Sequence, residues 1–201
     1  MKKRWFLWTV ILFTSLLFIY GCGKEGKHKQ TAQELIDQGW AKFATGNFTG
    51  ASADFNAANG LTTDTTEAYL GLGWAELRRN NAGLAEKAFV TYLAKVSDSN
   101  DAKAGLALAY DAQDKFQNAI SMAEEVLQSA PTWMFSHDPK INHLDLAYVL
   151  ADSYYSIANF SQSLVTVQHY FNLPDFKPDI NTDQGRTELA NKIEELYQQV
   201  V

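Results

Sequence analysis

Cysteine occurs once in these 201 residues and proline only four times. A lone cysteine excludes an internal disulfide, a zinc ribbon and a cysteine-ligated iron–sulfur cluster. Motifs for chemistry are equally scarce. No phosphate-binding loop is present: Gly71-Leu72-Gly73 is only G-x-G and falls within a helical pattern, where packing explains it. No HExxH occurs, and no nucleophile elbow frames any serine. Glu124-Glu125 and Glu194-Glu195 are adjacent on helices, so they point about 100° apart and read as solvated faces rather than acid/base partners. His137-Asp138 and His143 with Asp145 supply metal-ligand types without a recognised spacing. The expectation is a non-enzymatic chain with no metal and no cofactor. Positive charge is also in deficit, 17 Lys+Arg against 23 Asp+Glu, a net −6.

What is present begins at the N-terminus. Lys2, Lys3 and Arg4 precede an uncharged run from Trp5 to Tyr20, followed by Gly21-Cys22-Gly23. A basic head, an apolar run and small residues at its end describe a secretory signal. Counted through Gly23 the uncharged run is also just long enough to span a bilayer as an uncleaved anchor. Ile19-Tyr20-Gly21-Cys22 resembles the lipobox of bacterial lipoproteins, although Tyr20 stands where a smaller residue is usual. That resemblance implies a signal peptide over residues 1–21, cleavage before Cys22 and a lipid on Cys22. It places the chain at a bacterial cell envelope: on the outer membrane facing the periplasm in a diderm, or on the outer face of the plasma membrane in a monoderm. Each buried methylene contributes about 0.8 kcal/mol, so two or three acyl chains anchor stably. Loss of the three basic residues of the signal leaves 14 basic against 23 acidic, a net −9. That balance argues against nucleic acid and anionic surfaces as partners. Residues 22–30 read as a short polar tether.

The remainder, residues 31–201, matches itself at a shift of 34. Gly39-Trp40-Ala41-Lys42-Phe43 aligns with Gly73-Trp74-Ala75-Glu76-Leu77. Ala51 maps to Ala85 and Ala119, Phe55 to Phe89, and Gly39 through Gly73 to Ala107. A fourth copy follows at a shift of 44, with Tyr110 on Tyr154 and Phe116 on Phe160. Within each copy the apolar residues recur at helical spacing. Phe116, Ala119, Ile120, Ala123, Val126 and Leu127 form one stripe. Breaks fall at Gly46-Asn47, Asn80-Asn81 and Asp114-Lys115, and Pro131 ends the third pair.

A period of 34, with a small residue midway along the first helix (A) and an alanine early in the second (B), resembles the tetratricopeptide repeat. Lys42 and Glu76 depart from it, standing where an aromatic is usual. The resemblance implies an all-α solenoid of about four helix-turn-helix repeats, at roughly 32–65, 66–99, 100–133 and 144–175. An insertion occupies 134–143. A C-terminal helix at about 183–201 reads as a cap over the last repeat.

It also implies partner binding along the inner face made by successive A helices. Those positions include Trp40 and Phe43, Trp74 and Leu77, Asp101 and Asp111, and Asp145, Tyr148, Asp152 and Tyr155. The face grades from aromatic to acidic. Trp and Tyr suit binding hot spots because they bury much area at low entropy cost. Two other placements are open for Trp40 and Trp74: they pack between neighbouring A helices, or the insertion with Trp133, Met134 and Phe135 folds back and fills the groove. The leading functional expectation is a lipid-anchored scaffold that gathers protein or peptide partners. The alternative is a receptor for a small molecule or peptide in an envelope transport system, which needs a closed, dry pocket. Oligomeric state is not legible.

Overall fold

The computed structural model describes residues 30–61 and 65–200. Cys22, the signal and most of the tether lie outside the described residues. Residues 31–201 form one unit. Its described part is all-α apart from a single isolated antiparallel bridge between Met134 and Asn142. The helices are α1 (Ala32–Ala44), α2 (Phe48–Leu61), α3 (Thr66–Arg78), α4 (Ala82–Leu93), α5 (Asn100–Asp111), α6 (Phe116–Ser129), α7 (His143–Ser156), α8 (Phe160–Tyr170) and α9 (Asp183–Val200). None is long and apolar enough to cross a membrane.

Local chemistry sets the start of most A helices. Thr31 and Glu34 form a reciprocal capping box at α1. The Ser99 hydroxyl accepts from the Ala102 N–H at α5, and Asn142 with Asp145 forms a second capping box at α7. Such caps satisfy N–H groups that have no partner inside the helix. Between A and B the chain turns on one left-handed residue: Gly46 (φ 77), Asn80 (φ 61), Asp114 (φ 57) and Ala158 (φ 61). Each turn closes with the same two bonds. In the first, the Gly46 N–H donates to the Phe43 carbonyl and the Asn47 N–H to the Lys42 carbonyl, and the pattern repeats at Asn81, Lys115 and Asn159. This is a Schellman-type end, which favours glycine or asparagine at the left-handed position.

Each pair then packs on the next. The A helices α1, α3, α5 and α7 are successive neighbours along the array, with α9 against α7 and α8. The B helices α2, α4, α6 and α8 cover them. Two phenylalanines join the early repeats. Phe55 of α2 sits where side chains on Gly39 of α1 and Gly71 of α3 would lie: a Cβ at either position would fall 2.6 or 2.3 Å from its ring. Phe89 of α4 sits likewise between Gly73 of α3 and Gly105 of α5, at 2.5 and 2.2 Å. Both rings are fully buried. In the third repeat the phenylalanine position is Ala123, and the two glycine positions are Ala107 and Val149, all buried. Volume lost on one helix is restored on its neighbours, the kind of exchange a packed core tolerates.

The departures at Lys42 and Glu76 prove to be polar links. Lys42 pairs with Asp54 of α2 at 2.5 Å. Glu76 is buried and accepts from Ser52 of α2, from Arg79 at 2.6 Å and from Asn81 at 2.7 Å. A buried carboxylate persists only when paired and hydrogen-bonded in this way. The third and fourth repeats carry Tyr110 and Tyr154 at the same position, and the Tyr154 hydroxyl donates to Glu124 of α6. At the C-terminal end Leu189, Ile193 and Leu196 of α9 close a second cluster with Ala151 and Val167, while the opposite side of α9 is polar.

Candidate functional site

The A-helix face divides into two halves. On the N-terminal half, residues 130–142 leave α6, cross the inner face and return to start α7. The segment closes on itself: the Phe135 N–H donates to the Ile141 carbonyl at 2.9 Å, and the His143 N–H to the Trp133 carbonyl at 2.8 Å. Its side chains alternate, as in any extended chain. Trp133 and Phe135 are buried while Met134 is exposed. Phe135 stacks on Trp74 of α3 with centroids 4.1 Å apart and meets Phe43 of α1 edge-on at 6.1 Å. The ring of Trp133 lies near-parallel to that of Trp74 at 6.5 Å. His137 stacks flat on Trp40 of α1 at 3.5 Å, and the water lost from its covered side holds its imidazole below the usual histidine range.

Polar bonds fix this strap at its edges. Asp101 of α5 accepts from the Trp133 indole at 2.8 Å and from the Ser136 hydroxyl at 3.0 Å. Arg78 of α3 pairs with Asp138 at 3.2 Å. Beside the strap a cleft of about 780 Å³ remains open to solvent, lined by Trp74, Leu77, Arg78, Leu108, Lys140 and Ile141 among others.

This placement corrects the expectation of an open aromatic groove. Trp74 and Phe43 are buried, Trp40 is half-buried under His137, and Leu77 and the edge of Trp74 border the cleft. The reason is geometric: an insertion between α6 and α7 can reach α1 and α3 only across the inner face, and its aromatic side chains find rings already there. The indole nitrogen of Trp74 is buried without an acceptor among the described residues. That of Trp40 faces Glu67 of α3, whose carboxyl is raised by burial against the opposing influence of the indole.

The C-terminal half stays acidic. Asp111 of α5 accepts from the Ser153 hydroxyl of α7 at 3.1 Å. Burial, with Asp152 nearby, pushes the Asp111 carboxyl up to about 7. Asp152 of α7 is also raised, by burial and then by Glu194 of α9. Tyr148 meets Tyr197 of α9 with tilted rings at 5.2 Å, and burial raises its hydroxyl. Tyr155 meets Phe160 edge-on at 5.0 Å. Asp145 serves the α7 capping box and lines the cleft. No group of three or more metal-ligating side chains converges among the described residues.

Sequence reasoning weighed His137 only as a metal-ligand type and did not find its place on the Trp40 ring. The signal was the alternation of Trp133, Phe135 and His137, a period of two inside a chain otherwise built on helical spacing.

No family model and no curated protein matches this sequence. Solved structures do match the fold. MamA of MSR-1 superposes with a TM-score of 0.62 at 13% identity, covering 85% of this chain and 98% of its own. TTC0263, a TPR protein of Thermus thermophilus, gives 0.56 at 16% identity, covering 85% and 90%. A tetratricopeptide repeat protein from Parabacteroides merdae gives 0.55 at 17%, covering 86% of this chain and 61% of its own. At such identities the likeness concerns architecture alone. The chain therefore has a tetratricopeptide-repeat-like fold, an all-α helical repeat solenoid.

Proposed function

We propose that this chain is a lipid-anchored, non-enzymatic scaffold at a bacterial cell envelope, binding protein or peptide partners along its A-helix face. One observation carries the reading. Among the described residues, that face is divided between an aromatic lane filled by the insertion and an acidic lane of Asp111, Asp152 and Glu194 flanked by Tyr148 and Tyr197. Both suit recognition of a partner; the serine hydroxyls they place on carboxylates, Ser153 on Asp111 and Ser136 on Asp101, serve there as links between elements. The cleft beside the strap opens to solvent, which favours a groove for a chain-like partner over the closed pocket a small-molecule receptor needs.

Anchoring rests on the Cys22 motif. The Cys22→Ser variant should accumulate as an unprocessed precursor that migrates more slowly than the parent and lacks acyl label. Identical migration and labelling of the two would remove the anchored part of the reading. Crosslinking in intact cells, followed by capture of the chain, should recover specific protein partners.

A further inference from the structure

We propose that the cleft beside the strap is a binding site for a small amphiphilic carboxylate, its head group between Arg78 and Lys140 and its apolar body against Trp74, Leu108 and Ile141. The proposal goes beyond the scaffold reading and does not depend on it. Asp138, Lys140 and Ile141 belong to the insertion, which the 34-residue repeat does not contain. The site is therefore a feature of this chain and not of the repeat.

Size and lining come first. The cleft measures about 780 Å³. Pockets of about 300–1,000 Å³ take ligands of small-molecule size. A second cleft of about 300 Å³ lies beside it, lined by Gly46, Phe48 and His137 among others. Arg78, Asp138 and Lys140 line both, so they stand on the border between the two. Trp74, Leu77, Leu108, Ala112 and Ile141 line the larger one only. The larger cleft is thus charged along one edge and apolar beyond it. That division suits a ligand with a polar head and an apolar body. Because the cleft opens to solvent, such a ligand is gripped at its head and along one flank.

Charge decides the head group. Glu67, Asp101, Asp111, Asp145 and Asp152, the charged residues that the repeat assigns to the inner face, are all acidic. Arg78 and Lys140 reverse that sign at the cleft. Asp138 engages Arg78 through one guanidinium nitrogen at 3.2 Å, and an arginine has five N–H donors to offer. The guanidinium also lies 4.8 Å over the Phe48 ring, which steadies it. Lys140 is exposed, and among the described residues its ammonium meets no carboxylate. Its backbone N–H donates to Asp138 at 3.3 Å, which holds the base of the side chain at the border. Asp145 lines the cleft as well, but its carboxylate accepts from the Asn142 N–H in the α7 capping box. The border therefore sets two cations against Asp138 alone, an excess of one positive charge. A carboxylate neutralises that excess. A phosphate dianion would overshoot it on a face that is otherwise acidic. The two oxygens of a carboxylate also match the parallel donors of a guanidinium.

The test is a titration of the full chain in phosphatidylcholine nanodiscs, with empty nanodiscs as background. The probe is 10-bromodecanoate, read through quenching of tryptophan fluorescence, since Trp74 borders the cleft. Quenching should saturate and be reversed by unbrominated decanoate. Decanol and decylammonium, which share the chain but not the negative charge, should compete about tenfold less well. Lys140→Gln removes the unpaired cation and leaves the Arg78–Asp138 pair in place. It should weaken binding about tenfold, with the helical circular dichroism spectrum and the melting temperature of the parent. Ala112→Phe sets a ring into the cleft from an exposed position at the end of α5 and should abolish binding. Quenching no greater than in empty nanodiscs, equal competition by decanol and decanoate, or quenching unchanged by either substitution overturns the proposal. If Ala112→Phe unfolds, Lys140→Gln decides. None of these outcomes alters the processing of Cys22→Ser or the recovery of crosslinked partners, so failure here and failure of the scaffold reading are told apart.

Discussion

A glycine inside a helix costs roughly 1 kcal/mol relative to alanine, so Gly39, Gly71, Gly73 and Gly105 require compensation. The compensation is Phe55 and Phe89, whose rings occupy the space a side chain would take. Gly71→Ala should accordingly be destabilising despite its better helix propensity. Its Cβ would lie 2.3 Å from the Phe55 ring, and overpacking of this order costs about 1–3 kcal/mol. Chemical denaturation should show that loss. Phe55→Leu, itself destabilising, should cost less in the Gly71→Ala background than in the parent, giving a non-additive double-mutant cycle. Additive effects would mean that the two residues do not meet. Here the residue pattern was legible in part. Repetition of Gly39 and Phe55 at a shift of 34 marked a close crossing. The ring bridging two glycines on different helices was not legible, because a repeat distance does not say which neighbouring helices one ring reaches. Glu76 was visible as a departure, but its partner Ser52 lies on the preceding B helix, 24 residues away.

At the scale of elements, the four A–B turns share one hydrogen-bond scheme but not one residue. Gly46, Asn80 and Asp114 suit a left-handed backbone, whereas Ala158 (φ 61) does not. Ala158→Gly should therefore raise stability by about 0.5–1 kcal/mol, since relief of the left-handed strain exceeds the extra chain entropy of glycine. For a domain of this size that corresponds to a rise in Tm of roughly 1–4 °C. An unchanged or lower Tm would show that the turn is strained elsewhere. The first three helix pairs were legible because Gly46-Asn47, Asn80-Asn81 and Asp114-Lys115 also interrupt the helical pattern, so local signals and periodicity agreed. The strap was not. Trp40 and Trp74 fit equally well as exposed anchors, as spacers between A helices and as a floor under the insertion. A sequence states that such rings seek burial, not which atoms will bury them.

At the scale of the molecule, acidity has a thermodynamic signature. The Asp111 carboxyl lies at about 7, raised first by burial and then by Asp152, with Asp114 adding to the shift and the Ser153 hydroxyl opposing it. Asp152, Glu194 and Tyr148 crowd the same region. A carboxyl raised above its unfolded value stabilises the fold while protonated. That contribution is complete below about pH 4 and is lost as the pH rises through about 7. Thermal melting should thus fall between pH 5 and pH 8. Asp111→Asn, which keeps the shape without the charge, should flatten that fall by on the order of 1–3 kcal/mol. His137, held below its usual range, works in the opposite direction, so the comparison of parent with Asp111→Asn isolates the carboxyl. Identical pH profiles for the two would show that Asp111 is ionised at no cost.

The strap also sets a threshold for anything that would replace it. It leaves α6 at Ala130 and rejoins the array at His143, so it cannot diffuse away when its side chains lift from Trp40 and Trp74. A segment tethered so closely has a local concentration on the order of millimolar or more. A free competitor at micromolar concentration must then bind about a thousandfold more tightly than the strap's own sequence does when severed from the chain. Weak, passing encounters with apolar segments, abundant wherever proteins are still unfolded, fail that comparison. Because the strap is tethered at both ends, its hold on the aromatic lane depends on the length of the insertion as much as on the side chains it carries.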